Sequence, residues 1–471
     1  MSSPPCGSQN AERPRASGLP GLRVWICVLG CRSNLYEGEA IAGELASRGA
    51  AAGGALEGCR AAVIVSCSVT AAADKKCRQA VRRARREFEK FEKSGGRGVV
   101  AVCGCWAQKV SAEEARALGV DVLIGNRLKH LLPDALDEAV SGGGGFVDRR
   151  RDVGSDGTWD ALSLDRPVLR TRAFLKVQEG CDHFCSYCAI PFLRGRPASR
   201  PLEDTLEEAR RVVGAGCREV VLTGIHLGAW RGGEGTDGGT LGTLVRRVSA
   251  LPGLARLRLG SLEPFALDGD LLDALAESPV FCQHLHLPLQ SGDDEVLERM
   301  GRGYTADGFA RVCERARAKL GDGLHISSDV LVAFPGESER AFHGTLALME
   351  RSGLGRVHVF PYSPRPGTLA ARFPGRVSPG AASERAEAAM ALGARLLNRY
   401  AARFVGSRLS VLAENLKTHE TPSFTGYSRN FVAVAARGAA EAGQEAEVRI
   451  TDCSGGELLG EAEEVRGGYP E

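Results

Sequence analysis

Two blocks of alternating pattern limit what this chain can form. In the first, short apolar runs at residues 22–29, 61–66, 98–103 and 121–124 are separated by helical spacing at 36–47, 73–91 and 112–118. Strand–helix alternation of this kind predicts a parallel sheet covered by helices. The second block has runs at 173–177, 219–222, 255–259, 284–289, 325–332 and 356–360. Helical patterns lie between them at 202–214, 241–250, 271–276, 294–300, 306–319 and 339–351. Six such units predict an incomplete (β/α)6 barrel, followed by a long helical pattern over 381–404. The glycine-rich run 141–145 separates the two blocks and reads as flexible. Beyond it the character changes once more, to short β-like runs at 409–413, 430–435 and 445–450, which predict a small β-barrel. The expected α/β organisation is a disordered tail (1–20), a sheet domain (21–140), a linker (141–166), a barrel domain (167–404) and a terminal β-barrel (405–471).

Lys and Arg total 60 against 58 Asp and Glu, so any binding to nucleic acid must come from local patches. No apolar stretch approaches the roughly 18 residues that span a membrane, and the first twenty residues lack the apolar core of a secretory signal. Fifteen cysteines, an odd number in a large chain without an export signal, argue against a disulfide framework. They argue for a reduced cytoplasmic setting in which thiolates bind metal.

The sharpest local feature is Cys181-x-x-x-Cys185-x-x-Cys188, directly after the first barrel strand. Ligand sites in such sheets lie beyond the carboxyl ends of the strands. Three thiolates on one short loop suit a four-iron cubane with one iron left open. Structural zinc takes four protein ligands, usually as separated pairs, and the two-cluster ferredoxin run needs a fourth cysteine followed by proline. A second set of cysteines ends the strands of the first block. Cys31 follows the first strand and Cys67 the second, and Cys105 lies beyond Gly104 after the third. Their loops can converge on one edge of the sheet, although strand-end cysteines also serve as small apolar residues. Cys103 falls inside its strand, and the remaining cysteines read as core or chance thiols.

CxxxCxxC with Tyr187 before the last cysteine resembles the radical S-adenosylmethionine (SAM) superfamily. There SAM chelates the open iron and is cleaved reductively to a radical that removes a hydrogen atom from an unactivated carbon. The three-part layout resembles the methylthiotransferases, with a TRAM-like terminal domain. In that family three N-terminal cysteines hold a second [4Fe–4S] cluster that carries the sulfur. The stretches Gly30-Cys31-Arg32-Ser33-Asn34, Cys67-Ser68-Val69-Thr70, Ala73-Asp74-Lys75-Lys76, Gly104-Cys105-Trp106-Ala107-Gln108 and His358–Thr368 resemble the branch that acts on N6-threonylcarbamoyladenosine in tRNA. The resemblance implies two [4Fe–4S] clusters, SAM, a tRNA carrying that base beside the anticodon, and an electron donor such as a flavodoxin or ferredoxin. Isopentenyladenosine in tRNA and an aspartate of a ribosomal protein are the alternative substrates within the family. A non-enzymatic iron–sulfur RNA binder is the alternative outside it.

Further residues follow from position. Thr223 and Gly224 end the second barrel strand, where the resemblance places a SAM-binding glycine motif. Ser261 and Glu263, then Gln290, then Asp329 end or occupy the next strands and can face the barrel mouth for SAM or substrate. His183, inside the cluster loop, reads as a positioning or solvent-facing residue. Lys75, Lys76, Arg78, Arg82 and Arg83 make one basic helix suited to phosphates. Arg194, Arg196 and Arg200 form a second basic stretch. Tyr427 of the terminal barrel is a candidate base-stacking residue. Arg365 is the expected cation for the substrate carboxylate.

Overall fold

The computed structural model describes residues 17–93, 95–142, 145–154, 157–167, 170–232, 239–417 and 422–466. The expected tail therefore lies almost wholly outside the described residues.

Apolar residues in the first block sort into β1 (Arg23–Val28), α1 (Arg32–Ser47), β2 (Ala51–Ala52), β3 (Ala61–Ser66), α2 (Ala71–Glu92) and β4 (Val99–Gly104). There follow α3 (Cys105–Lys109), α4 (Ala112–Ala117), β5 (Val122–Ile124), α5 (Leu132–Ser141) and β6 (Val147–Arg149). The strands form one parallel sheet in the order β2-β1-β3-β4-β5-β6. Strands β3 and β4 are buried along their whole length, as parallel strands covered on both faces must be. Sequence patterning missed the short β2, α3 and β6 and the ten-residue α5. The segment expected as a linker contributes instead: β6 extends the sheet, and Leu162 and Leu164 enter the core. Glycine content signalled flexibility there, but pairing with β5 and burial of the two leucines hold the flanking segments.

The second block forms β7 (Ala173–Glu179), α6 (Ile190–Arg194), β8 (Ala198–Ser199), α7 (Leu202–Gly214), β9 (Glu219–Gly224), α8 (Leu241–Ser249), β10 (Arg256–Leu259) and α9 (Gly269–Glu277). It continues with β11 (His284–His286), α10 (Asp294–Met300), α11 (Ala306–Leu320), β12 (His325–Val332), α12 (Glu339–Arg351), β13 (Arg356–Pro361) and α13 (Pro379–Ala402). Strands β7, β9 and β10 pair in parallel, as do β11, β12 and β13. Single bridges at Leu257–Phe281 and Ser261–His286 join the two groups into one open barrel wall. Side-chain oxygens of Thr240, Asp268, Asp293, Thr305, Ser338 and Ser378 cap the helices that follow them, satisfying otherwise orphaned backbone donors.

Helix α1 is buried nearly all round, including Tyr36, Ile41 and Leu45, because it lies between the first sheet and the barrel. The two domains consequently share one apolar core. The last block, β14 (Arg408–Lys417), β15 (Ser423–Ser428), β16 (Ala433–Arg437), β17 (Glu445–Ser454) and β18 (Glu457–Arg466), closes as β14-β15-β16-β18-β17 around its own core. It plugs the amino-terminal end of the larger barrel. Glu219 receives Arg258 at 3.0 Å and Arg172 and Arg256 at 3.4 Å, and these guanidiniums overcome burial and hold its carboxyl far below the usual range. Arg256 also reaches Glu445 and the carbonyls of Ser410 and Tyr427. His325 Nδ1 lies 2.7 Å from the Asn430 carbonyl, and its ring stacks on Tyr400 at 4.5 Å.

Burial pushes His325 down to about 4, and burial together with His325 and Arg258 pushes His284 well below its ordinary value. Both histidines are held neutral, and they must charge on unfolding once the pH falls below 6.5. Their contribution to stability is therefore complete above that value and is lost as the pH falls toward 4. Unfolding measured at pH 7 and pH 5 should show an acid loss of up to about 2 kcal/mol per histidine, and His325→Phe should remove its share.

Candidate active site

The order of the first sheet reverses between β1 and β3, which opens a crevice at their carboxyl ends. Cys31 caps the start of α1 there, Cys67 follows β3, and Cys105 opens α3 after β4. Two glycines permit this approach. Gly30 has φ +104°, and a Cβ on it would fall 2.5 Å from that of Cys67; Gly104 has φ +95°, and its Cβ would fall 2.6 Å from the Ser66 carbonyl. The Asn34 amide donates to the Leu29 carbonyl (2.5 Å) and the Ser66 carbonyl (3.0 Å), tying the two strand ends together. The Ser66 hydroxyl accepts from the backbone N–H groups of Trp106 and Ala107 and so seats α3.

The second cysteine loop follows β7. Its backbone is pinned where the Cys181 N–H donates to the Gly195 carbonyl, the Ser186 N–H to the Met300 carbonyl and the Cys188 N–H to the Cys185 carbonyl. Tyr187 packs edge-on against Phe334. Arg302 donates to Cys185 Sγ at 3.4 Å and pairs with Glu263. Four non-glycine residues with positive φ, Phe184, His226, Gln290 and Ala333, follow β7, β9, β11 and β12 at this same end of the barrel. Such strained positions gather at functional sites.

A cavity of about 770 Å³ joins the two cysteine sites. Cys31, Cys67, Val69 and Lys76 line it from the first domain, and Tyr187, Cys188, Gln290, Asp329 and the 360–363 segment from the second. His286 Nε2 lies 3.2 Å from Asp329 Oδ2. Against the effect of burial, His286 and His358 hold the Asp329 carboxyl below its usual range.

Arg194 connects the halves. Completely buried, it donates from Nε to Cys105 Sγ at 3.2 Å, from Nη2 to Asn34 at 2.6 Å, and from Nη1 to Glu179 at 2.9 Å and Glu37 at 3.2 Å. Lys176 bridges the same two carboxylates, and Lys129 reaches Glu37 at 3.1 Å.

The other expected site residues are distributed unevenly. Glu263 reaches the second cysteine loop through Arg302. Thr223 is buried, Gly224 packs against the Gln178 backbone and Ser261 is exposed; none of these three lines the cavity. His183 is exposed, its Nε2 3.1 Å from that of His226. Lys75, Lys76, Arg82 and Arg83 are exposed on α2, while Arg78 pairs with Glu114. Three expectations are corrected. Arg365 is not a free cation at the mouth: it is buried and bound to Asp74 at 2.7 Å and Ser68 at 3.1 Å. Arg200 is buried and bound to Glu208 and Tyr36 rather than free at the surface. The Tyr427 ring is taken up by Phe431 at 4.6 Å and Arg172 at 5.3 Å, at the plugged end of the barrel. Asn34 stood in a quoted motif without an assigned role, whereas Arg302 and Asn126, the latter donating toward Cys105 Sγ at 3.7 Å, were not singled out in the sequence.

The donor sets fit iron–sulfur clusters. A single zinc with Zn–S bonds of about 2.3 Å needs sulfurs roughly 3.8 Å apart. Among the described residues only Cys181, Asp182 and His226 bring three ligating atoms within 4.8 Å of one another, and neither cysteine triad is that tight. The wider triads suit a polynuclear centre. Burial pushes the thiols of Cys67 and Cys181 up to about 11 and that of Cys188 up to about 12. Metal must therefore displace protons as it binds. Reconstituted protein should hold about eight irons in two cubanes. Cys105→Ala should lower this to about four, measured by iron assay, whereas Cys103→Ala should retain all eight. Arg194→Met should cost about 1–3 kcal/mol in unfolding, because it removes the charge-assisted hydrogen bonds to Glu37, Glu179 and Asn34 while Lys129 and Lys176 still pair the two carboxylates.

Comparison with known proteins agrees with this arrangement. Residues 175–349 match the radical SAM superfamily, and residues 23–125 match Uncharacterized protein family UPF0004. The chain is 34% identical over 419 residues to the threonylcarbamoyladenosine tRNA methylthiotransferase MtaB of Bacillus subtilis, covering 87% of this chain and 89% of that protein. It is 35% identical over 404 residues to the tRNA-2-methylthio-N(6)-dimethylallyladenosine synthase of Agrobacterium fabrum, covering 84% and 88%. In fold it is similar to the radical SAM methyltransferase TsrM of Kitasatospora setae, with a TM-score of 0.52 at 15% identity over 80% of this chain and 89% of that one. With cysteines of both triads lining one cavity and relatives this similar along most of its length, the chain belongs to the radical SAM methylthiotransferases, enzymes that use two [4Fe–4S] clusters and SAM.

Proposed function

We propose that this protein transfers a methylthio group to C2 of N6-threonylcarbamoyladenosine beside the anticodon of tRNA. The observation that carries the reading is the shared cavity, lined by Cys31 and Cys67 on one side and Cys188 on the other. When bound, SAM on one cluster supplies the hydrogen-abstracting radical, and the second cluster supplies the sulfur. The chain's own residues position and enclose. Val28, Leu29, Leu331 and Phe360 give the cavity apolar walls that exclude water, and Gln290 and Asp329 offer polar atoms at its edge. A loop nucleotide unstacks at low cost to enter such a site.

Helix α2 begins at the cavity, and its exposed Lys75, Arg82 and Arg86 lie on one face of the helix with Gln79. This basic ridge suits the phosphates that flank an extruded base. The electron donor is expected to be a small redox protein such as a flavodoxin or ferredoxin. The sequence stretches that resemble the threonylcarbamoyl branch favour that base over isopentenyladenosine.

The test is reaction of reduced, reconstituted protein with purified tRNA bearing each base, and with the ribosomal protein, followed by mass spectrometry. Product is expected on threonylcarbamoyl tRNA. Product only on one of the others would overturn the substrate while leaving the chemistry. Arg82→Ala and Arg86→Ala should weaken tRNA binding and each lower its salt dependence by about one phosphate contact, with kcat at saturating tRNA retained.

A further inference from the structure

We propose that Lys76 is the residue that recognises the carboxylate of the threonylcarbamoyl substituent, and so distinguishes this base from an uncharged N6-alkyl one. The inference rests on the function proposed above and gives its substrate pocket a specificity determinant.

Lys76 is the one cation among the described residues that line the cavity. It lies one turn beyond Ala72 and Ala73, on the same face of α2, and all three line the cavity. Its ammonium forms no ion pair with any described residue, whereas Lys109 and Arg365 both bind Asp74 at 2.7 Å, and Arg32, whose charge acts on Asp329, does not line the cavity. Asp74 therefore draws Arg365 away from the pocket. The one acid on the lining, Asp329, is held by His286 and does not neutralise Lys76. Facing α2 is the 360–363 wall, fixed where the Ala71 N–H donates to the Ser363 hydroxyl at 3.4 Å. The pocket thus combines apolar walls with one unpaired positive charge at the rim. That combination suits a flat apolar base carrying a single negative group. An isopentenyl substituent offers nothing to such a charge.

A phosphate contact is the competing role for an exposed lysine, and the experiment separates the two. Anaerobically reconstituted wild type, Lys76→Met and Lys76→Arg are compared for binding to two anticodon stem-loop RNAs. One carries threonylcarbamoyladenosine, the other its threonine amide, which has the same shape without the charge. The wild type should bind the carboxylate form at least about fivefold more tightly, the size of a partly exposed charge-assisted contact. Lys76→Met should bind both forms equally, and Lys76→Arg should keep the preference. Iron content and unfolding of the variants should match the wild type. Absence of a carboxylate preference in the wild type overturns the proposal, even if the threonylcarbamoyl tRNA is methylthiolated. Equal weakening of both RNAs in Lys76→Met, with a shallower salt dependence, also overturns it and makes Lys76 a phosphate contact. Failure of the underlying reading looks different: methylthiolation of isopentenyladenosine tRNA and none of threonylcarbamoyl tRNA.

Discussion

Five charges without access to water hold the two cysteine sites in one frame. Glu37 belongs to α1, Lys129 to the turn before α5, Lys176 and Glu179 to β7, and Arg194 to the helix after the CxxxCxxC loop. Each is fully buried, so none tolerates the loss of its partners. Their mutual pairing requires the first sheet to sit against the barrel in one orientation only. With Nη1 and Nη2 engaged by acids and Asn34, the Arg194 Nε is left for Cys105 Sγ. The Gly180 N–H, adjacent to Cys181, donates to Glu179 at 3.1 Å. One arginine and one glutamate thereby span from Cys105 of the first cysteine set to the CxxxCxxC loop of the second.

Around that frame each cysteine is placed by local means. Strand ends carry Cys31, Cys67 and Cys105 to a crevice created by the reversal of sheet order, and the absence of a Cβ at Gly30 and Gly104 lets the loops close on one another. Burial disfavours the thiolates of the free protein, which couples assembly of the centres to deprotonation. Four of the five non-glycine positive-φ residues among the described residues, Phe184, His226, Gln290 and Ala333, lie at the same end, and the fifth, Phe431, lies in the loop that seals the other. The opposite end of the barrel serves stability. There Glu219 gathers three arginines, and the loop carrying Asn430 and Phe431 seals the lumen against His325 and His284. Chemistry at the carboxyl ends of the strands and structure at the amino ends is the usual division of labour in such barrels.

Periodicity and spacing are local properties, and they were legible in the residues alone. They placed β3, α7, α10, β12 and α12 to the residue, located both cysteine sets at strand ends, and separated Cys105 from Cys103. The split into a parallel sheet, an open barrel and a small closed barrel followed from the same patterns. The two- and three-residue β2 and β6 escaped because they carry no full period, α3, α5, β15 and β18 escaped although they are longer, and α1 carries a weak amphipathic signal because it is buried on both sides.

Partner choice among charged residues was not legible, since it depends on which groups meet across long stretches of chain. Arg194, Arg200 and Arg365 all looked like surface cations. The folded chain buries all three, against acids that include Glu37 and Asp74 of the first domain, 157 and 291 positions away from Arg194 and Arg365. Lys76 reads as one basic residue of a run, and only the tertiary structure sets it alone on the cavity wall. The residues by themselves determined which chemistry this protein can hold, because ligand type and spacing are written along the chain. The tertiary structure decided which charges remain free to meet a substrate, because a charge is spent wherever the fold brings its opposite within reach.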